Sequence, residues 1–214
     1  MDKKIRQKRA IIVVKVLKEL FPKVRCALTY TNSLELLIAV ILSAQCTDKK
    51  VNEVTAQLFR KYPTMESYLQ ADYDTFCQDI RSTGFYRNKA KNVLATIKKI
   101  NDDFGGEVPR TMAELVTLRG AARKTASIVL GEAFGMTEGI AVDTHVIRLS
   151  QKFRLTAQKE QGKIENDLME IVPKEEWRGL TLRMGNYGRT YSPAHKKNDE
   201  SDPISQALLA AKLL

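Results

Sequence analysis

The 214-residue chain is short of cysteine, histidine and long apolar runs, and each shortage argues against a class of protein. Its three cysteines, Cys26, Cys46 and Cys77, are odd in number and far apart, with no Cys-x-x-Cys pair, and its two histidines stand alone. These counts argue against a disulfide framework and a zinc site, leaving buried free thiols as the expectation. The longest apolar run, Leu36–Leu42, covers about a third of the ~20 residues a membrane helix needs. Met1-Asp2-Lys3-Lys4 opens onto a basic helix without an apolar h-region, which argues against a secretory signal. Acidic residues are outnumbered, 25 against 35 Lys and Arg, leaving a net charge of +10. That excess favours a polyanionic partner, nucleic acid or an anionic membrane surface. With 43% apolar residues the chain has enough to bury a core. A soluble, cytoplasmic, monomeric protein is expected.

The apolar spacing is helical nearly throughout. Ile5, Ile12, Val16 and Leu20 make one stripe, with Val13 and Leu17 beside it. Leu34, Leu37, Ile38, Ile41 and Leu42 make a denser one, interrupted only by Glu35, which predicts a buried central helix. Breakers fall between the stripes at Phe21-Pro22, Tyr62-Pro63, Gly84, Gly105-Gly106 and Val108-Pro109. No alternating segment is long enough for a strand, so the fold class is all-α with short helices. Tyr191 to Asp202 is polar and unpatterned and reads as a loop. Asp202-Pro203 then supplies an N-cap and an N1 proline for a final helix, Ile204 to Leu213, docked through Ile204, Leu208 and Ala211.

Thr111 to Phe134 carries the clearest chemical pattern. A short helix, Met112 to Thr117, meets Leu118-Arg119-Gly120-Ala121-Ala122, and a second helix runs from about Ala122 to Phe134. Such a hairpin aims the second helix's free N–H groups outward, where they and the helix dipole suit a phosphate. Arg119 and Arg123 would add charge there. Lys124 shares a face with Ser127 and Gly131, and a partly desolvated amine near a helix N-terminus is a usable nucleophile. The alternative is an ordinary exposed lysine. Asp143 precedes a helix with Val146, Ile147 and Leu149, as an N-cap or as a fixed charge for electrostatic work. His145 is either a site residue or a packed one. Gln45 would read a base edge or simply cap a helix end. Phe85, between Gly84 and basic residues, would wedge into a base stack if exposed and join the core if buried.

Taken together, these motifs resemble the endonuclease III family of DNA glycosylases, within the helix-hairpin-helix superfamily. The carriers are Leu36 to Asp48, Thr83 to Asn92, Gly105 to Pro109, Arg123 to Ala126 and Ala141 to Val146. The resemblance implies two helical lobes with a DNA cleft between them. Residues 31–136 would form a six-helix lobe containing the hairpin, and 1–30 with 137–214 the second. It implies Lys124 as catalytic nucleophile and Asp143 as catalytic carboxylate. Gln45 would fill the space of the flipped nucleotide and Phe85 would wedge the opposite strand. Arg119, Gly120, Ala122, Arg123, Thr125 and His145 complete the implied DNA contacts. The implied partner is duplex DNA with damaged bases or abasic sites. The implied activity is bifunctional glycosylase and AP lyase chemistry on oxidised pyrimidines. Alternatives are a monofunctional or altered-specificity glycosylase, or a non-catalytic damage-binding paralogue.

The chain departs from the family pattern in three places. The hairpin usually reads Leu-Pro-Gly-Val-Gly, and here Arg119 replaces the proline. Many relatives bind a four-iron, four-sulfur cluster through four cysteines, whose positions fall here on Ser192, Asp199, Asp202 and Leu208. None offers a thiolate, so no cofactor and no metal is expected. Tyr187 stands where relatives usually have histidine.

Overall fold

The computed structural model describes residues 2–196 and 198–214, with the backbone alone at Lys196. Helical apolar spacing yields twelve α-helices among these residues, and no strand, as the sequence predicts. They are α1 (Lys3–Leu20), α2 (Ser33–Leu42), α3 (Asp48–Lys61), α4 (Met65–Leu69), α5 (Tyr73–Asp79) and α6 (Tyr86–Phe104). Then follow α7 (Met112–Leu115), α8 (Arg123–Phe134), α9 (Thr144–Lys152), α10 (Gln161–Met169), α11 (Trp177–Thr190) and α12 (Pro203–Ala210). None of the helices is long and apolar enough to cross a membrane. The chain forms two units, Cys26–Met136 and Met1–Arg25 with Thr137–Leu214.

In the first unit α2 is the axis. Every residue from Leu36 to Leu42 is buried, as its unbroken apolar run demands, and α3, α6 and α8 pack around it. Asn32 starts α2 by accepting the Glu35 N–H at 2.9 Å. All three cysteines belong to this unit and none is in a disulfide, but only Cys77 is fully buried; Cys26 and Cys46 are half-buried. The hairpin survives the loss of proline. Leu118 and Ala121 are buried under it, and Ala121 N–H donates to Leu118 C=O at 3.1 Å. Its first helix ends at Leu115, two residues before the predicted Thr117. Gly120 sits at φ +82°, and a Cβ there would press on Asn92 at 3.1 Å. Both the left-handed backbone and the close approach require glycine.

In the second unit the predicted stripe of α1 is corrected. Its buried residues are Arg6, Arg9, Ala10, Val13 and Leu17, whereas Ile5 is exposed and Ile12, Val16 and Leu20 are half-buried. The reason lies outside the helix. Arg6 Nε donates to Leu155 C=O at 2.7 Å, and its Nη2 to Asp167 C=O at 2.7 Å. Arg9 Nε donates to Leu213 C=O at 2.6 Å. Buried guanidinium groups are tolerated because carbonyls satisfy their donors, so the face that a hydropathy pattern assigns to water turns inward.

The predicted loop from Tyr191 contains a 3-10 turn at Ala194–Lys196; Lys197 lies outside the described residues. Asp202 caps α12 with Pro203 in its first turn, as predicted. The helix stops at Ala210, three residues early, and Ala211 is exposed. Lys212 adopts a left-handed conformation (φ +56°) that turns the chain back, so Leu213 N–H reaches Leu208 C=O at 2.9 Å. Ile204 and Leu208 are fully buried. Deleting residues 199–214 removes both side chains, worth about 1.5–3 kcal/mol each, and strips Arg9 of the Leu213 carbonyl. The truncated protein is therefore expected to melt many degrees below the full chain in a thermal scan. Equal melting would reduce α12 to a tail.

Candidate active site and nucleic-acid interface

The first unit presents three groups of chemically useful residues. At the start of α8, Ala122 occupies the N-cap without a side chain able to cap, and Arg119, Gly120, Ala122, Arg123 and Lys124 are all exposed. The hairpin thus offers N–H groups, the positive helix end and basic side chains together. It is buttressed by α6: Thr96 Oγ1 donates to Arg119 C=O at 2.7 Å, and Arg119 Nε donates to Asn92 Oδ1 at 3.1 Å. Thr125 is half-buried in the first turn. Of the two alternatives for Lys124, partly desolvated or ordinarily exposed, the exposed one holds. Its side chain points to solvent, because Ala126, Val129 and Leu130 take the inward face of α8.

The second group is the turn after α2. Gln45 is exposed and left-handed (φ +53°), outside both flanking helices, so it caps neither end. The third is the loop before α6. Phe85 is 67% exposed and also left-handed (φ +48°), which overturns the core alternative for it. Non-glycine residues rarely hold such backbone angles unless surrounding structure enforces them. Beneath the same loop lies Lys89. That lysine is buried, and its Nζ donates to Thr83 C=O at 2.8 Å. Burial holds its ammonium below the usual lysine range. No local pattern marks this lysine as pointing inward, since most of its neighbours in sequence are basic or polar.

In the second unit Asp143 is the N-cap of α9. Its Oδ1 accepts the Val146 N–H at 2.8 Å, and the side chain is half-buried. One carboxylate oxygen therefore fixes the group while the other is not used by the cap. His145 is half-buried against α11: a Cβ on Gly188 would collide with His145 Nδ1. Glycine is required there by the close approach of the imidazole, not by backbone conformation. Lys124 and Asp143 belong to different units.

The four positions Ser192, Asp199, Asp202 and Leu208 also lie in the second unit. Leu208 is core. The other three meet one side chain that sequence reasoning passed over, Lys152 at the end of α9. Its Nζ lies 2.9 Å from Ser192 Oγ, 2.6 Å from Asp199 C=O and 2.8 Å from Asp202 Oδ2. Tyr187 donates its hydroxyl to Asp202 Oδ1 and accepts the Ile204 N–H at 2.9 Å. Burial alone would raise the Asp202 carboxyl, but hydrogen bonds from Lys152, Tyr187 and Ser205 hold it below the usual carboxylate range. Among the described residues no group of three or more His, Cys, Asp or Glu side chains is arranged to hold a metal ion.

Comparison with known proteins agrees with this architecture. Residues 38–174 match the HhH-GPD superfamily of base excision DNA repair proteins. Endonuclease III of Synechocystis sp. is 45% identical over 191 residues, covering 89% of this chain and 87% of the relative. A non-covalent endonuclease III–DNA complex superposes with a TM-score of 0.89 at 41% identity, covering 94% of each chain. A trapped covalent endonuclease III–DNA intermediate gives 0.88 at 42% identity, covering 92% of this chain and 93% of that one. From these matches, the chain belongs to the endonuclease III family of the HhH-GPD base excision DNA repair superfamily.

Proposed function

We propose that the protein is a bifunctional DNA glycosylase and AP lyase that removes oxidised pyrimidines from duplex DNA, working as a cytoplasmic monomer. The observation that carries this reading is the likeness, at 42% identity over 92% of the chain, to an endonuclease III trapped covalently on DNA. A lysine at position 124 fits that chemistry. The damaged base is extruded, at a cost of a few kcal/mol that is least for weakly stacked lesions. The Lys124 amine bonds to C1′ as the glycosidic bond breaks, and the base leaves with the electron pair. Asp143 stabilises positive charge developing on the sugar. Opening of the sugar ring at C1′–O4′ gives a protonated Schiff base. Loss of the C2′ proton then expels the 3′ phosphate.

Because Lys124 is exposed, its desolvation has to come from bound DNA. Gln45 fills the vacated stack and Phe85 wedges the opposite strand, both held out by their left-handed backbone. Arg119, Gly120, Ala122, Arg123 and Thr125 hold the phosphate backbone at the hairpin, and His145 contacts DNA from the other unit.

The protein works without an iron–sulfur cluster. Serine, aspartate and leucine at positions 192, 199, 202 and 208 offer no soft ligand, and the three cysteines all belong to the other unit. No step above runs through a metal.

Borohydride trapping on a duplex bearing one oxidised pyrimidine tests the function. A covalent protein–DNA adduct with borohydride, and a nick without it, are expected. Base release without either would make the enzyme monofunctional, and binding without release would make it a damage-recognition protein.

A further inference from the structure

Two departures from the family pattern turn out to be partners. Tyr187, standing where relatives usually have histidine, donates to Asp202, which stands at one of the cluster positions. Lys152 completes the arrangement. An ammonium has three N–H donors, and the acceptors around this one are Ser192 Oγ, Asp199 C=O and Asp202 Oδ2. Both charged side chains are nearly sealed from solvent, at 8% exposure for Lys152 and 2% for Asp202. Arg148, one turn earlier on α9, clasps the same segment through Ser192 C=O at 2.5 Å.

We propose that the Lys152 ammonium is the tie that binds the segment from Ser192 to Asp202 onto α9, at the positions where relatives place a metal cluster. Three of the four cluster positions converge on this one nitrogen, and the fourth, Leu208, has become core. A lysine-centred tie needs no iron and has no redox chemistry, so folding of this unit is independent of iron supply and oxidants. The inference rests on the cluster-free reading, and its own failure is distinguishable from failure of that reading.

The test uses the full chain in two arms. In the first, wild-type protein is treated anaerobically with ferrous iron and sulfide, then desalted and assayed for bound iron. No retained iron is expected. About four irons per chain, the content of one such cluster, would overturn the cluster-free reading and with it this proposal. In the second arm, hydrogen exchange is followed across residues 192–206 in Lys152→Met, Asp202→Asn and the double variant. Removing one partner of a buried pair leaves the other charge uncompensated, so Lys152→Met is expected to speed exchange on the order of a hundredfold or more. Adding Asp202→Asn removes the stranded charge and is expected to recover at least about tenfold of that loss. If Lys152→Met does not accumulate while the double variant folds, the same coupling is demonstrated. Wild-type exchange in Lys152→Met, or a double variant no better than the single, overturns the tie and leaves the cluster-free reading standing.

Discussion

Lys124→Ala is expected to form no borohydride-trapped adduct and to lose strand nicking by at least about a thousandfold, because alanine offers no amine for the covalent step. Its stability should stay within about 0.5 kcal/mol of wild type, since the side chain is exposed on α8 and alanine is the better helix former. Affinity for undamaged duplex should fall only slightly, as one cation among the many that give the chain its +10 charge is lost. A gel of the trapping reaction alongside a binding titration reads both quantities. Nicking at the wild-type rate would remove Lys124 from the chemistry and direct attention to another amine.

Asp143→Asn separates charge from shape. Asparagine caps helices about as well as aspartate, so its side-chain oxygen can accept the Val146 N–H that Asp143 accepts at 2.8 Å. Melting should therefore move little. Turnover should fall on the order of a hundredfold or more, because a neutral amide cannot stabilise positive charge on the sugar. Asp143→Ala adds loss of the cap, about 1 kcal/mol, to the same loss of turnover. Should Asp143→Asn melt far below wild type while turning over normally, the carboxylate would be a helix cap and nothing more.

Patterns that depend on near neighbours in sequence were legible. The run Leu36–Leu42 announces a helix buried on all sides, and Gly120 announces a tight turn. Asp202-Pro203 announces the start of α12. Each of these is decided within a few residues by backbone freedom, capping or apolar periodicity. Illegible were features decided by atoms far away in sequence. Arg6 and Arg9 read as solvent-facing until carbonyls at Leu155, Asp167 and Leu213 are brought to them. Lys89 reads as one more surface cation, yet its amine is spent inside, on Thr83. Lys152 carries no local signal, since its three acceptors lie forty to fifty residues downstream. Lys124 stood between two alternatives, exposed or covered, because small residues beside a lysine do not say whether anything covers them.

The Arg9–Leu213 hydrogen bond also sets an order of events during synthesis. The unit from Cys26 to Met136 is continuous in the chain, so it can fold as soon as its last residue clears the ribosome. Helix α1 emerges earlier but belongs to the discontinuous unit, and its arginines find their carbonyls only after positions 155 and 213 have been made. At about 5–20 residues per second, α1 waits about 4–15 seconds beside an already folded neighbour. Ribosome-bound intermediates arrested after Met136 has cleared the exit tunnel and before Leu213 is made should therefore carry a protease-resistant Cys26–Met136 and an α1 that is cleaved at once.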